Sequence, residues 1–188
     1  MTHRTRRGAT ILVLVLGLAA ANCSKPKTED RANSPQSNAE TGAAACTLLT
    51  KEEIQAVQGD TFKDTKPSHK LAAGLSVSQC YFELPTAANS VVLTVTRKAE
   101  GGREPSQSWQ DIFHSERRSE REEEGEKKEP QKIDGLGEEA FWTGTRIGGA
   151  LFVLKGNCYI RISVGGAGDQ AQKIEKSKTL AESVLKRL

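Results

Sequence analysis

The side chains with the widest chemical range in this chain are four cysteines, Cys23, Cys46, Cys80 and Cys158. A thiol can be acylated, pair as a disulfide, hold a metal or act as a nucleophile, and its spacing and surroundings decide which. No two of the four form a CxxC unit, so redox exchange is not indicated. His3, His69 and His114 are too scattered for an HExxH site or a clustered ligand set, and no metal is expected. Gly135-x-Gly137-x-x-Ala140 has the spacing of a dinucleotide fingerprint. That fingerprint works only between a strand and a helix whose N-terminus meets the pyrophosphate. Here a charged run precedes the glycines and Phe141-Trp142-Thr143-Gly144 follows them, so no cofactor is expected. The glycines are read instead as a turn that delivers Phe141 and Trp142 to a core. Gly74-x-Ser76-x-Ser78 lacks the last glycine of a nucleophile elbow. Glu138-Glu139 could form an acid pair, but adjacent carboxylates are common on surfaces. With no catalytic set in view, the chain is not expected to be an enzyme.

Cys23 has a distinctive setting. Arg4, Arg6 and Arg7 precede an apolar run from Ala9 to Ala21, which is too short to span a bilayer core comfortably. A charged start, a short apolar middle and a small-residue end describe an export signal over residues 1–22. Ala19-Ala20-Ala21 would let a signal peptidase release a soluble protein beginning at Asn22. Ala20-Ala21-Asn22-Cys23 resembles a bacterial lipobox, in which the cysteine is acylated and becomes the mature N-terminus. Asn22 departs from the small residue usual before that cysteine, and the leucine usual three positions before it is missing. Lipidation of Cys23 is the favoured expectation, because the thiol follows the apolar run directly and a polar tract follows it. Residues 23–45, rich in Ser, Pro, Asn and charge, have no large apolar side chain to bury and read as a flexible tether.

The chain has 188 residues, of which 27% are charged and 36% hydrophobic. That length suggests one folded domain, and that polarity excludes a polytopic membrane protein. The formal charge is +3. Residues 1–22 contain three basic side chains and no acidic one, so the rest of the chain is neutral, with 24 basic groups against 24 acidic. The electrostatic case for nucleic-acid binding therefore disappears with the export signal.

The elements that would position these groups begin at Cys46. Thr50-Lys51-Glu52-Glu53 fits a capping box that opens a helix carrying Ile54 and Val57, with Gly59 as its stop. Residues 60–75 show no clear period. Val77–Leu84 and Ser90–Arg97 read as a strand hairpin. Residues 105–124 read as a helix with Trp109, Ile112 and Phe113 on its apolar stripe, and the mixed charges of Glu116–Glu129 read as a solvated face. Ile133–Trp142 is a connector, followed by strands Leu151–Leu154 and Tyr159–Val164. The latter puts Cys158, Ile160, Ile162 and Val164 on one face, with Tyr159, Arg161 and Ser163 on the other. Asp169-x-x-Gln172 opens a last helix bearing Ile174, Ala181, Val184, Leu185 and Leu188. This order predicts an α+β domain over residues 46–188, an antiparallel sheet covered by helices mainly on one face.

Cys46-Thr47-Leu48-Leu49-Thr50-Lys51-Glu52-Glu53-Ile54, Cys80-Tyr81-Phe82, Gly135–Trp142 and Val153-Leu154-Lys155-Gly156 follow one another in this chain. The layout resembles small bacterial envelope lipoproteins classed as domains of unknown function, common in actinobacteria, over residues 46–188. The resemblance implies an exported, lipid-anchored α+β domain similar to the PsbP-like sheet-and-helix fold, with no catalytic residues. In an oxidising compartment exported thiols tend to pair. With Cys23 acylated, Cys46–Cys80 is the favoured bridge, pinning the first helix to the sheet, and Cys158 remains as a buried thiol. If Cys23 is free, four thiols allow three connectivities. The expected partners are the membrane, through the N-terminal lipid, and an envelope protein or small ligand. The alternative is a soluble secreted or periplasmic small-ligand binder.

Overall fold

The computed structural model describes residues 44–115, 129–144 and 148–188. The export signal, Cys23, nearly all of the tether and the charged run of 116–128 lie outside the described residues; of the helix predicted to residue 124, His114 and Ser115 are described and are not helical, and 116–124 lie outside. Within them the chain is α+β. Helix α1 spans Lys51–Gln58, α2 Pro105–Phe113 and α3 Gln170–Leu185. Strands β1 (Asp64–Ala72), β2 (Leu75–Glu83), β3 (Val91–Lys98), β4 (Gln131–Lys132), β5 (Glu139–Gly144), β6 (Gly149–Lys155) and β7 (Cys158–Val164) form one sheet in the order β1-β2-β3-β7-β6-β5-β4. Every neighbouring pair is antiparallel.

Side chains alternate across a strand, so each strand contributes to two faces. On the first face the register aligns Leu93, Ile162, Leu151 and Trp142 in one row, and Val95, Ile160, Val153 and Ala140 in the next. Leu48, Leu49 and Ile54 from the α1 region and Ile174, Leu180, Ala181 and Val184 from α3 bury these rows in a single core. The second face is partly covered by α2, whose Trp109 and Phe113 pack on Phe141, Phe152, Leu154 and Tyr159. Helices therefore lie mainly, but not wholly, on one face. Ile112, predicted on the buried stripe of α2, points outward and is 38% exposed.

The helix ends follow the predicted caps. The Thr50 hydroxyl accepts from the Glu53 amide and the Glu53 carboxylate accepts from the Thr50 amide, while Gly59 ends α1 at φ 71°. Asp169 and Gln172 form the same reciprocal pair at the start of α3. Glu53 does more than cap. Its two carboxylate oxygens take both terminal nitrogens of Arg187, at 3.0 and 2.9 Å, and Arg187 also donates to the Leu48 carbonyl at 2.9 Å. The start of α1 is thereby fastened to the end of the chain.

Three features depart from the expectations. Residues 64–72 form β1, which shows no apolar alternation because it is an edge strand exposed on both faces. Pro67 and its lysines suit such an edge, where free backbone groups would otherwise invite pairing. The expected connector over 133–142 contains the start of β5, with Ala140 and Trp142 in the core and Phe141 on the opposite face. Ala45, assigned to the tether, is fully buried in the core, so packing begins before Cys46.

Burial raises the Glu53 carboxyl, but the Arg187 hydrogen bonds, the Thr50 amide and the Arg187 charge outweigh it and hold the group down to about 2. A depressed carboxyl stabilises the fold above its ordinary value of 4.5 and loses that contribution as pH falls toward 2. Glu53→Gln should lower stability by on the order of 2 kcal/mol at neutral pH. In urea unfolding followed from pH 7 to pH 2, the difference between wild type and variant should shrink across this window.

Candidate functional site

Cys46 and Cys80 are joined by a disulfide with S–S 2.05 Å. Cys46 is the last helical residue before Thr47, and Cys80 sits fully buried on the core face of β2. The bond therefore ties the point where the chain enters the fold to the second strand of the sheet. Cys158 is a free, buried thiol whose ionisation burial pushes up, and its Sγ lies 3.3 Å from the Lys155 carbonyl. A thiol raised in this way is a poor nucleophile at neutral pH.

The remaining residues singled out in the sequence are distributed as follows. Ser76 and Ser78 lie within β2 rather than on a strand-to-helix turn, and Ser76 Oγ is 2.9 Å from His69 Nε2. The Gly135–Gly137 turn leads into β5 and no helix follows, so the nucleotide-binding geometry is not formed. Gly137 is required there because a Cβ would stand 2.3 Å from the Leu154 carbonyl, and its φ is +58°. Glu138 leaves the turn to accept the Gly156 amide at 2.7 Å, closing the β6–β7 hairpin.

Glu139, at the start of β5, is the hub of a small cluster that the sequence does not reveal. Its Oε2 accepts from Trp109 Nε1 at 2.5 Å and lies 2.8 Å from His114 Nε2. His114 in turn meets Phe141 edge-on. Burial raises the Glu139 carboxyl, but the Trp109 and His114 hydrogen bonds prevail and keep it below its ordinary value. An ionised carboxylate holding a fully buried indole fixes α2 on the sheet. Among the described residues no group of three His, Cys, Asp or Glu could hold a metal ion.

Beyond α2 no described helix covers the second face of the sheet, and its side chains are half-buried. Here β3 presents Val92, Thr94 and Thr96 between Tyr81, Gln79 and Val77 of β2 and Ser163, Arg161 and Tyr159 of β7. Strands in a sheet lie about 4.8 Å apart, so the short Thr94, flanked by the long Gln79 and Arg161, leaves a groove over β3 at that row. Trp109, 5.9 Å from the Tyr159 ring, stands at one end. Tyr81, Gln79, Thr94, Arg161 and Ser163 are half-buried. Thr94 Oγ1 donates to Gln79 Oε1 at 3.4 Å, which leaves the Gln79 amide nitrogen to donate elsewhere. The Arg161 guanidinium lies 5.8 Å from the Phe152 ring centre. Burial pulls its pKa below the ordinary value with no opposing charge to restore it. Among the described residues Arg161 has no ion pair or hydrogen bond, whereas Arg103 and Arg187 are paired with Asp111 and Glu53. Sequence alternation placed Arg161 on this face, but Gln79 and Thr94 join it only through the strand register.

No protein-family model matches the chain, and no curated protein does. Among solved structures it is similar to a GTP-binding regulator from Thermotoga maritima, at 14% identity and a TM-score of 0.36, covering 71% of this chain and 89% of that one. A likeness of that size contributes nothing to the functional reading.

Replacing Cys46 and Cys80 together by alanine should cost about 2–4 kcal/mol, measured by urea unfolding against the oxidised wild type. Glu139→Ala should cost about 1–3 kcal/mol and release Trp109, seen as a loss of its near-ultraviolet circular dichroism before global unfolding.

Proposed function

We propose that this chain is an exported bacterial envelope protein, anchored in the membrane by a lipid on Cys23, whose α+β domain is a non-enzymatic binding or scaffolding module. The observation that carries the reading is the Cys46–Cys80 disulfide, because structural disulfides persist in oxidising compartments outside the cytoplasm. The charged, apolar and small-residue stretches of residues 1–22 support the same destination, and the position of Cys23 directly after them supports the anchor. Among the described residues no helix is long and apolar enough to cross a membrane. The half-buried Arg161, without an ion pair among the described residues, supports the binding role, and neutral charge beyond residue 22 argues against a nucleic-acid partner. Ala19-Ala20-Ala21 favours one second reading, a soluble secreted or periplasmic small-ligand binder beginning at Asn22.

Metabolic labelling with a fatty-acid precursor distinguishes the two. Wild type should incorporate label and partition with membranes, and Cys23→Ala should do neither. Unlabelled wild type in the soluble fraction would overturn the anchor.

A further inference from the structure

On the second face Arg161 has no counter-ion among the described residues, and its surroundings define what would satisfy it. Arg161 and Gln79 stand on opposite walls with Thr94 between them. A half-buried guanidinium without a counter-ion is costly to leave unpaired and is worth most to an incoming anion. The nearby cations do not add to it. Lys66, on the outer strand, is engaged by Glu83 at 2.6 Å, and Lys70 lies opposite Val77, two strands further from Arg161 than Thr94 is. One free positive charge matches one negative charge. The planar fork of arginine takes either a carboxylate or a phosphate, but a single positive charge with one amide donor beside it neutralises a carboxylate monoanion and would leave a phosphate dianion half-compensated. The floor on the side away from Trp109 is Val92, walled by Tyr81 on β2 with the short Ser163 on β7, and Phe152 flanks Arg161 on its far side. These surfaces are apolar or aromatic except for the serine hydroxyl, which is already donated to the Gly149 carbonyl at 2.9 Å, and the Glu83-paired Lys66 ammonium, 5.8 Å from the centre of the Tyr81 ring.

We propose that the groove along β3 binds a monocarboxylate with an apolar body, its carboxylate held between the Arg161 guanidinium and the Gln79 amide and its body lying on Val92 and Tyr81. The proposal deepens the reading of this domain as a binding module and is independent of the anchor. Loss of the anchor is read by fractionation, and loss of this site by titration.

The test uses the full mature chain, labelled with ¹⁵N, and three probes: benzoate, uncharged benzamide and inorganic phosphate. Benzoate should move the Arg161 Nε–Hε and Gln79 side-chain amide signals in a saturable way within the millimolar range. Benzamide and phosphate should leave both signals in place at equal concentration. Arg161→Gln should weaken benzoate binding by at least about tenfold. Gln79→Glu, a nearly isosteric change that sets a carboxylate in the groove, should do the same, and it serves if the arginine variant does not fold. The proposal is overturned by benzoate that gives no saturable shift, by phosphate that binds as well as benzoate, or by a folded variant at either position that binds as wild type does.

Discussion

The fold depends above all on the pairing of β3 with β7. These strands lie far apart in sequence, yet Val91 meets Val164 and Arg97 meets Cys158 along their full length. That one ladder joins the β1-β2-β3 meander to the β7-β6-β5-β4 meander and makes a single sheet of them. It also assigns the faces. With Leu93 opposite Ile162 and Val95 opposite Ile160, the apolar sets of both strands fall beneath α1 and α3. The same register sets Thr94 beside Arg161 on the other side. A slip of one residue would carry Arg161 into the core and expel Ile160 and Ile162, so the core enforces the geometry of the groove.

The ends of the domain are held to this sheet by two different means. The Cys46–Cys80 bond fixes the entry of the chain covalently, and the bidentate Glu53–Arg187 pair closes the circuit from α1 to the C-terminus. The two are complementary in their conditions. The disulfide persists where the surroundings are oxidising, and the ion pair holds until acid protonates a carboxyl that titrates at about 2.

Much of this architecture is legible in the residues. The alternation of Val91, Leu93 and Val95 and of Ile160, Ile162 and Val164 marks the two central strands, because each buries one face under helices. Thr50 with Glu53 and Asp169 with Gln172 mark two helix starts, because capping is a local interaction three residues long. β1 is hidden, since an edge strand exposed on both faces has no apolar period to detect. β5 is obscured by the Gly135–Gly137 turn before it, which draws attention to a motif rather than to Ala140 and Trp142. The Glu139 cluster and the groove are illegible for a different reason. Glu139 is separated from Trp109 by thirty residues, and Gln79, Thr94 and Arg161 meet only across three strands, so both sites exist in the register rather than in any motif.

The proposed export and lipid anchor, with the covalent clamp, predict one intact mass for the protein isolated from bacterial membranes. The species should be the chain beginning at Cys23, heavier by its acyl groups and lighter by the two hydrogens lost in the Cys46–Cys80 bond. A chain that retains residues 1–22 with every thiol reduced would contradict export, and an unacylated chain beginning at Asn22 would contradict the anchor.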